Sequence, residues 1–137
     1  MTSEDAYHEL CCYTLVHDDP SFIHQHVVDA FAAQMADDQT KPIKLTFALV
    51  GLYLHVEKQF SGKRVQQVHM DLARMKRSWL SLGLPSGRGT VTAADVLAVS
   101  AGPQRDRAIH AWCVAVWISF GACRQAVIEL LRDYGIE

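Results

Sequence analysis

Four side chains capable of chemistry, His24, His26, Asp29 and Gln34, fall within one helix-like stretch, residues 20–36. Polar groups cost free energy when buried unless they find partners, so such a cluster calls for a ligand, a metal or an internal hydrogen-bond network. At about 100° per residue, Ile23, Val27, Ala30, Phe31 and Met35 centre the buried face of this helix. His24 and Gln34 fall inside that face, while His26 and Asp29 fall together on the opposite side. His24 and Gln34 are separated by about 15 Å along the axis and cannot share one small site. His26 and Asp29, three residues apart, can touch. A carboxylate on one imidazole nitrogen is how proteins orient a catalytic or metal-binding histidine. A surface or inter-helix hydrogen bond would use the same pair without any chemistry.

Glu57 is a second anomaly. It continues a helical line through Thr46, Val50 and Tyr53, and a carboxylate among apolar neighbours must be paired, metal-bound or protonated. Tyr53, or an arginine from the last helix, would satisfy it structurally. His8 and Cys12 stand one turn apart on the first helix, as two ligands of one metal can. With His24 or Glu57 from neighbouring helices they would form a His/Glu/Cys site for Zn, Ni or Fe. No His-Glu-x-x-His or Glu-x-x-His motif supports that site, and no Gly-x-Ser-x-Gly, phosphate loop or Gly-x-Gly-x-x-Gly points to a catalytic family. Cys113 lies in an apolar stripe, where cysteine behaves as a small hydrophobe.

The elements that must position these groups read as helices almost throughout. A first helix over about residues 3–17, capped by Ser3, presents Tyr7, Leu10, Cys11 and Thr14 on one face. Asp18-Asp19-Pro20 ends it and opens the second, which runs to about residue 36. The third, about 42–60, is apolar nearly all round, with one polar strip of Lys44, Gly51, His55 and Lys58, and so should be central. The fourth, about 63–80, carries the heptad Val65, Val68, Leu72, Met75 and Trp79. Residues 81–92 are irregular and rich in Gly and Pro, and Thr92-x-x-Asp95 then opens a short helix over 93–98. A long helix follows from Pro103 to Tyr134, with Gly121 as a point for a kink or a close helix contact. The pattern predicts an all-α fold: one domain over 1–137, with five main helices in a mostly antiparallel bundle and one irregular connection at 81–92.

The 137 residues are 50% hydrophobic and 20% charged, which is globular composition. No apolar run is long enough for a membrane span, no signal segment is visible, and the four cysteines form no disulfide framework, so a reduced, cytoplasmic protein is expected. Net charge is −2, yet residues 1–40 hold eight acids and no Lys or Arg, whereas 41–77 hold eight bases. Complementary packing of charged helices accounts for this better than a nucleic-acid partner.

Val28-Asp29-Ala30-Phe31-Ala32-x-Gln34, Leu52-x-Leu54-x-x-Glu57, Trp79-Leu80 with Pro85, Thr90-Val91-Thr92-Ala93-Ala94-Asp95-Val96, and Trp112 with Val116-Trp117 stand in an order that resembles an uncharacterised bacterial family. That family is a domain of unknown function with a Val-Asp-Ala-Tyr-Ala-x-Gln-His core, and the likeness runs over about residues 7–132. The resemblance implies a small helical fold and little else, because the family has no established activity. This chain departs from the pattern at Gln34-Met35, in lacking an N-terminal Cys-x-x-Cys, and in having no His after Trp117, and each departure removes a potential metal ligand.

Two hypotheses follow. The first is a protein that binds a small molecule or metal between helices two and three, either an enzyme or a plain binder. His24 and Glu57 would be its inner contacts, and Asp29 would orient His26. The second is an interaction module acting as a homodimer through the outer face of the last helix, around Val114, Trp117 and Ile118.

Overall fold

The structure, a computed structural model, describes residues 1–16, 21–75, 79 and 81–136. The described residues form seven α-helices and no strand. These are α1 (Ser3–Val16), α2 (His24–Gln34), α3 (Pro42–Val56), α4 (Gly62–Arg74), α5 (Ala93–Ala98), α6 (Pro103–Ser119) and α7 (Arg124–Asp133). The chain is thus all-helical, with one helix more than the five main ones and the short one over 93–98 that were expected. The extra helix comes from the long C-terminal segment. It bends by 67° between α6 and α7, through a 3₁₀ turn over Gly121–Cys123. Gly121 has poor helix propensity, and the chain closes there with short-range bonds, Phe120 N–H to the Trp117 carbonyl and Cys123 N–H to the Phe120 carbonyl.

Helix starts follow local hydrogen bonding. The cap of α1 is Thr2, one residue before the expected Ser3. The Thr2 N–H donates to Asp5 Oδ2 at 2.9 Å, and the Asp5 N–H donates to Thr2 Oγ1 at 3.1 Å. Ser61 accepts from the Arg64 N–H to open α4, and both halves of the Thr92–Asp95 capping box are present. The expected N-terminal signal at Asp18-Asp19-Pro20 lies outside the described residues. α2 itself begins only at His24, because Phe22 takes a left-handed φ of 45° and interrupts the helix. The Ser21 carbonyl next to it accepts the Gly62 N–H, and a Cβ at Gly62 would sit 2.6 Å from the Phe22 carbonyl carbon. Only glycine allows that approach.

Helix α3 is central as its composition demands, with Leu45, Leu49, Val50, Leu52, Tyr53 and Leu54 buried. Val65, Val68 and Leu72 of α4 pack into the same core, together with Ile109, Trp112, Val116 and Phe120 from α6 and its end. Met75, expected on the α4 seam, is 38% exposed. Trp117, expected on the outer face of α6, is buried, while Ile118 stays 69% exposed. No single helix among the described residues is long and apolar enough to cross a membrane. Among the described residues, Asp71 pairs with Arg74 within α4 and Glu57 pairs with Arg124 of α7.

Candidate functional site

The buried face of α2 is rotated from the one expected. Val27, Ala30 and Ala33 are fully buried, but so, nearly, are His26 and Asp29, while Met35 is half exposed. Large side chains suggested a different face; the small residues Ala30 and Ala33 instead let α2 lie close against its neighbours. The polar strip of α3 is, at its middle, the surface on which α2 docks. Asp29 packs against Gly51, where a Cβ would sit 2.6 Å from the carboxyl carbon, and the His26 ring stacks on His55 with centroids 3.6 Å apart and planes at 17°. The polar faces of the two helices therefore meet each other and make a buried polar layer. Lys44 and Lys58, at the two ends of the strip, remain exposed.

From this layer a row of imidazoles leads to the surface. His55 is half-buried, and its Nε2 lies 3.1 Å from Nδ1 of His110, an exposed residue of α6, with the two rings at 89°. The His55 ring also bonds to the backbone of Phe60. On the inner side, the Cys113 thiol donates to the His26 carbonyl at 3.6 Å, and Gln25 Nε2 donates to Asp29 Oδ1 at 3.1 Å. His26 Nδ1, Asp29 Oδ2 and the Thr46 hydroxyl are buried without a hydrogen-bond partner. Asp29 makes no bond to His26, so the orienting role expected of it is not what the pair does here.

Burial sets the charge states. It pushes the Asp29 carboxyl well above the usual carboxylate range, opposed by the bond from Gln25, and so favours the neutral acid. Burial, with the nearby Asp29 adding to it, also raises the Cys113 thiol. His26 falls to about 3 through burial and then through repulsion from His55 and His110, and His55 falls to about 4 through burial and then His110. Both folded values lie below the unfolded value of about 6.5, so the unfolded chain takes up these protons first as the pH drops. The stability they contribute is complete above about pH 6.5 and is lost as the pH falls towards 4 and 3. Asp29 has the opposite sign, because its raised folded value favours the native state on acidification. His24 and His69 are lowered by burial too, so the histidines outnumber the one aspartate and give a net loss, each group acting with a slope of at most about 1.4 kcal/mol per pH unit. Urea titrations at pH 7, 6 and 5 should show stability falling, and more steeply in Asp29→Asn, which removes the opposing group. A flat profile in both proteins would refute these charge states.

The other residues expected at a site are engaged structurally. Gln34 donates to the carbonyls of Arg88 at 3.1 Å and Val91 at 2.7 Å, and its Oε1 accepts the Trp112 indole N–H at 3.0 Å. It ties the irregular segment 81–92 to α2 and α6. Glu57 is not inside α3 but forms its C-cap, where Arg124 clamps the carboxylate through Nε and Nη2 and Trp117 Nε1 donates to it at 2.7 Å. The Arg124 bonds, ahead of the Trp117 bond, hold its carboxyl below the usual range. Tyr53 is buried near Trp117. His24 pairs with the Thr14 hydroxyl at 3.0 Å, and His8 and Cys12 lie exposed on α1.

The metal set of His8, Cys12, His24 and Glu57 is therefore not assembled. Among the described residues no group of three or more His, Cys, Asp or Glu side chains could hold a metal ion. The residues that do come together and were not anticipated are His55 and His110. His55 carried a faint signal, one turn after a glycine on an otherwise apolar helix; His110 carried none. A cleft of about 420 Å³ at the α6–α7 bend, lined by Leu82, Leu84, Phe120, Cys123 and Ala126, is mainly apolar, and no residue of the row lines it.

The model of a family of unknown function (DUF5946) matches residues 4–121. No curated protein and no solved structure matches the chain.

Proposed function

We propose, for a chain that belongs to the family of unknown function DUF5946 and so inherits no activity from it, a ligand-binding role at the histidine row between α2, α3 and α6. The observation that carries this reading is the graded row itself. An exposed imidazole is bonded at 3.1 Å to a half-buried one, which stacks on a buried third. A polar layer serving stability alone would gain little from a surface histidine, whose hydrogen bond competes with water. Imidazoles opening to solvent are groups that bind metals, acids or electrophiles.

A thermal-shift screen of divalent metals and small metabolites, run on the parent and on His110→Ala, tests the reading. A ligand at about one hundred times its Kd should stabilise the parent by roughly 2.7 kcal/mol, a rise of several degrees, and leave His110→Ala unmoved. No shift with any compound, or a shift that persists in His110→Ala, would overturn it.

A homodimer is the second reading, favoured by one observation. Ile118 is 69% exposed on the outer face of α6, one turn beyond the half-buried Val114. Light scattering distinguishes a 15.3 kDa chain from a species of twice that mass.

A further inference from the structure

We infer that the ligand of this row is a late first-row divalent cation, of the zinc, nickel and copper class, held by His55 Nε2 and His110 Nδ1. The inference rests on the binding role proposed above and goes further by naming the ligand's chemistry. Two nitrogens 3.1 Å apart can both reach a metal at about 2.0–2.1 Å, which closes an N–metal–N angle of about 100°. That angle lies between square and tetrahedral coordination and suits this class of ion. The donors are imidazoles alone, which disfavours the oxygen-seeking calcium and magnesium.

The surroundings of His55 are those of a metal ligand. Its Nε2 is the ring nitrogen turned toward His110 Nδ1. His26, stacked face to face beneath it, fixes the ring plane. Because the two planes are 17° from parallel and 3.6 Å apart, the His26 nitrogens do not converge with Nε2, so His26 is a platform and not a third ligand. His110 is exposed, giving the ion a path from solvent and leaving its remaining positions open. On binding, the ion replaces the His110–His55 hydrogen bond, and the bridging proton moves to the other nitrogen of the ring that carries it.

Titration calorimetry of tag-free protein with ZnCl2, NiCl2 and CuCl2 tests this, with Cu(II) EPR to count nitrogen ligands. The expected result is micromolar binding of up to one ion per chain, weakened about tenfold or more in His110→Ala and in His55→Asn. His8→Ala, which removes an exposed histidine of α1, should leave binding unchanged. Half an ion per chain with doubled mass would equally support the pair as ligands, a second copy then completing the coordination. Binding as tight in His110→Ala as in the parent, or no uptake of any of the three ions, would overturn the metal. If another compound from the screen binds and is lost in His110→Ala, the metal alone is refuted and the binding role stands. If nothing binds, both fall. Circular dichroism of His110→Ala shows whether the fold is intact, and His110→Gln repeats the test at closer to the original volume.

Discussion

A Gln34→Leu variant should unfold about 3 kcal/mol more easily than the parent, with a melting temperature lower by roughly 10 °C. Leucine preserves most of the volume but removes three hydrogen bonds at once. It strands the indole N–H of Trp112, a side chain with no exposed surface, and the carbonyls of Arg88 and Val91. Each stranded buried group costs about 1–3 kcal/mol, and the two carbonyls lie at the low end because the loop is partly wetted. Equilibrium urea unfolding reads the loss directly. A change below about 1 kcal/mol would mean that water replaces these bonds and that Gln34 does not hold the loop.

Gly51→Ala carries the second large effect, and its sign is informative. Alanine in a helix interior is intrinsically better than glycine by about 1 kcal/mol, so propensity alone predicts stabilisation. Here the new methyl would press on the Asp29 carboxyl and sit 3.2 Å from Val65 Cγ1, with both neighbours buried. Overpacking of that kind costs typically about 1–3 kcal/mol after relaxation and outweighs the propensity gain. The expected result is a net loss of about 1 kcal/mol, and at most about 2. Asp29→Ala in the same background should restore at least half of it by vacating the space, as a double-mutant cycle in urea would measure. A Gly51→Ala protein as stable as the parent would show that α2 does not lie this close to α3.

Much of the fold was legible because periodicity reports on burial. The apolar run from Leu45 to Leu54 marks α3 as central, and Thr92-x-x-Asp95 marks the start of α5. The break at Gly121 was visible as a weak point, but not as a turn, since the stripe from Ile109 to Leu130 continues across it in helical phase. The site was legible only in half. His26 and Asp29 stand out as polar residues on a helix, yet periodicity placed them outward, because it weighs large apolar side chains. It is blind to two polar faces meeting each other. The contact is specified by Gly51, whose missing side chain leaves room for Asp29. His110 joins His55 across 55 positions of chain, a pairing that no local pattern encodes. Glu57 was legible as a carboxylate needing a partner, and an arginine of the last helix supplies one.

Arg88 ties chain segments together that sequence order keeps apart. Its guanidinium donates to the carbonyls of Gln34, at 3.0 Å, and of Ala36, so the C-terminal end of α2 is capped by a side chain from the irregular connection. The amide hydrogens of that connection and of the last turn of α2 are consequently governed by one opening event. In hydrogen–deuterium exchange they should form a single cooperative unit, with the connection behaving as part of α2 despite having no regular structure of its own.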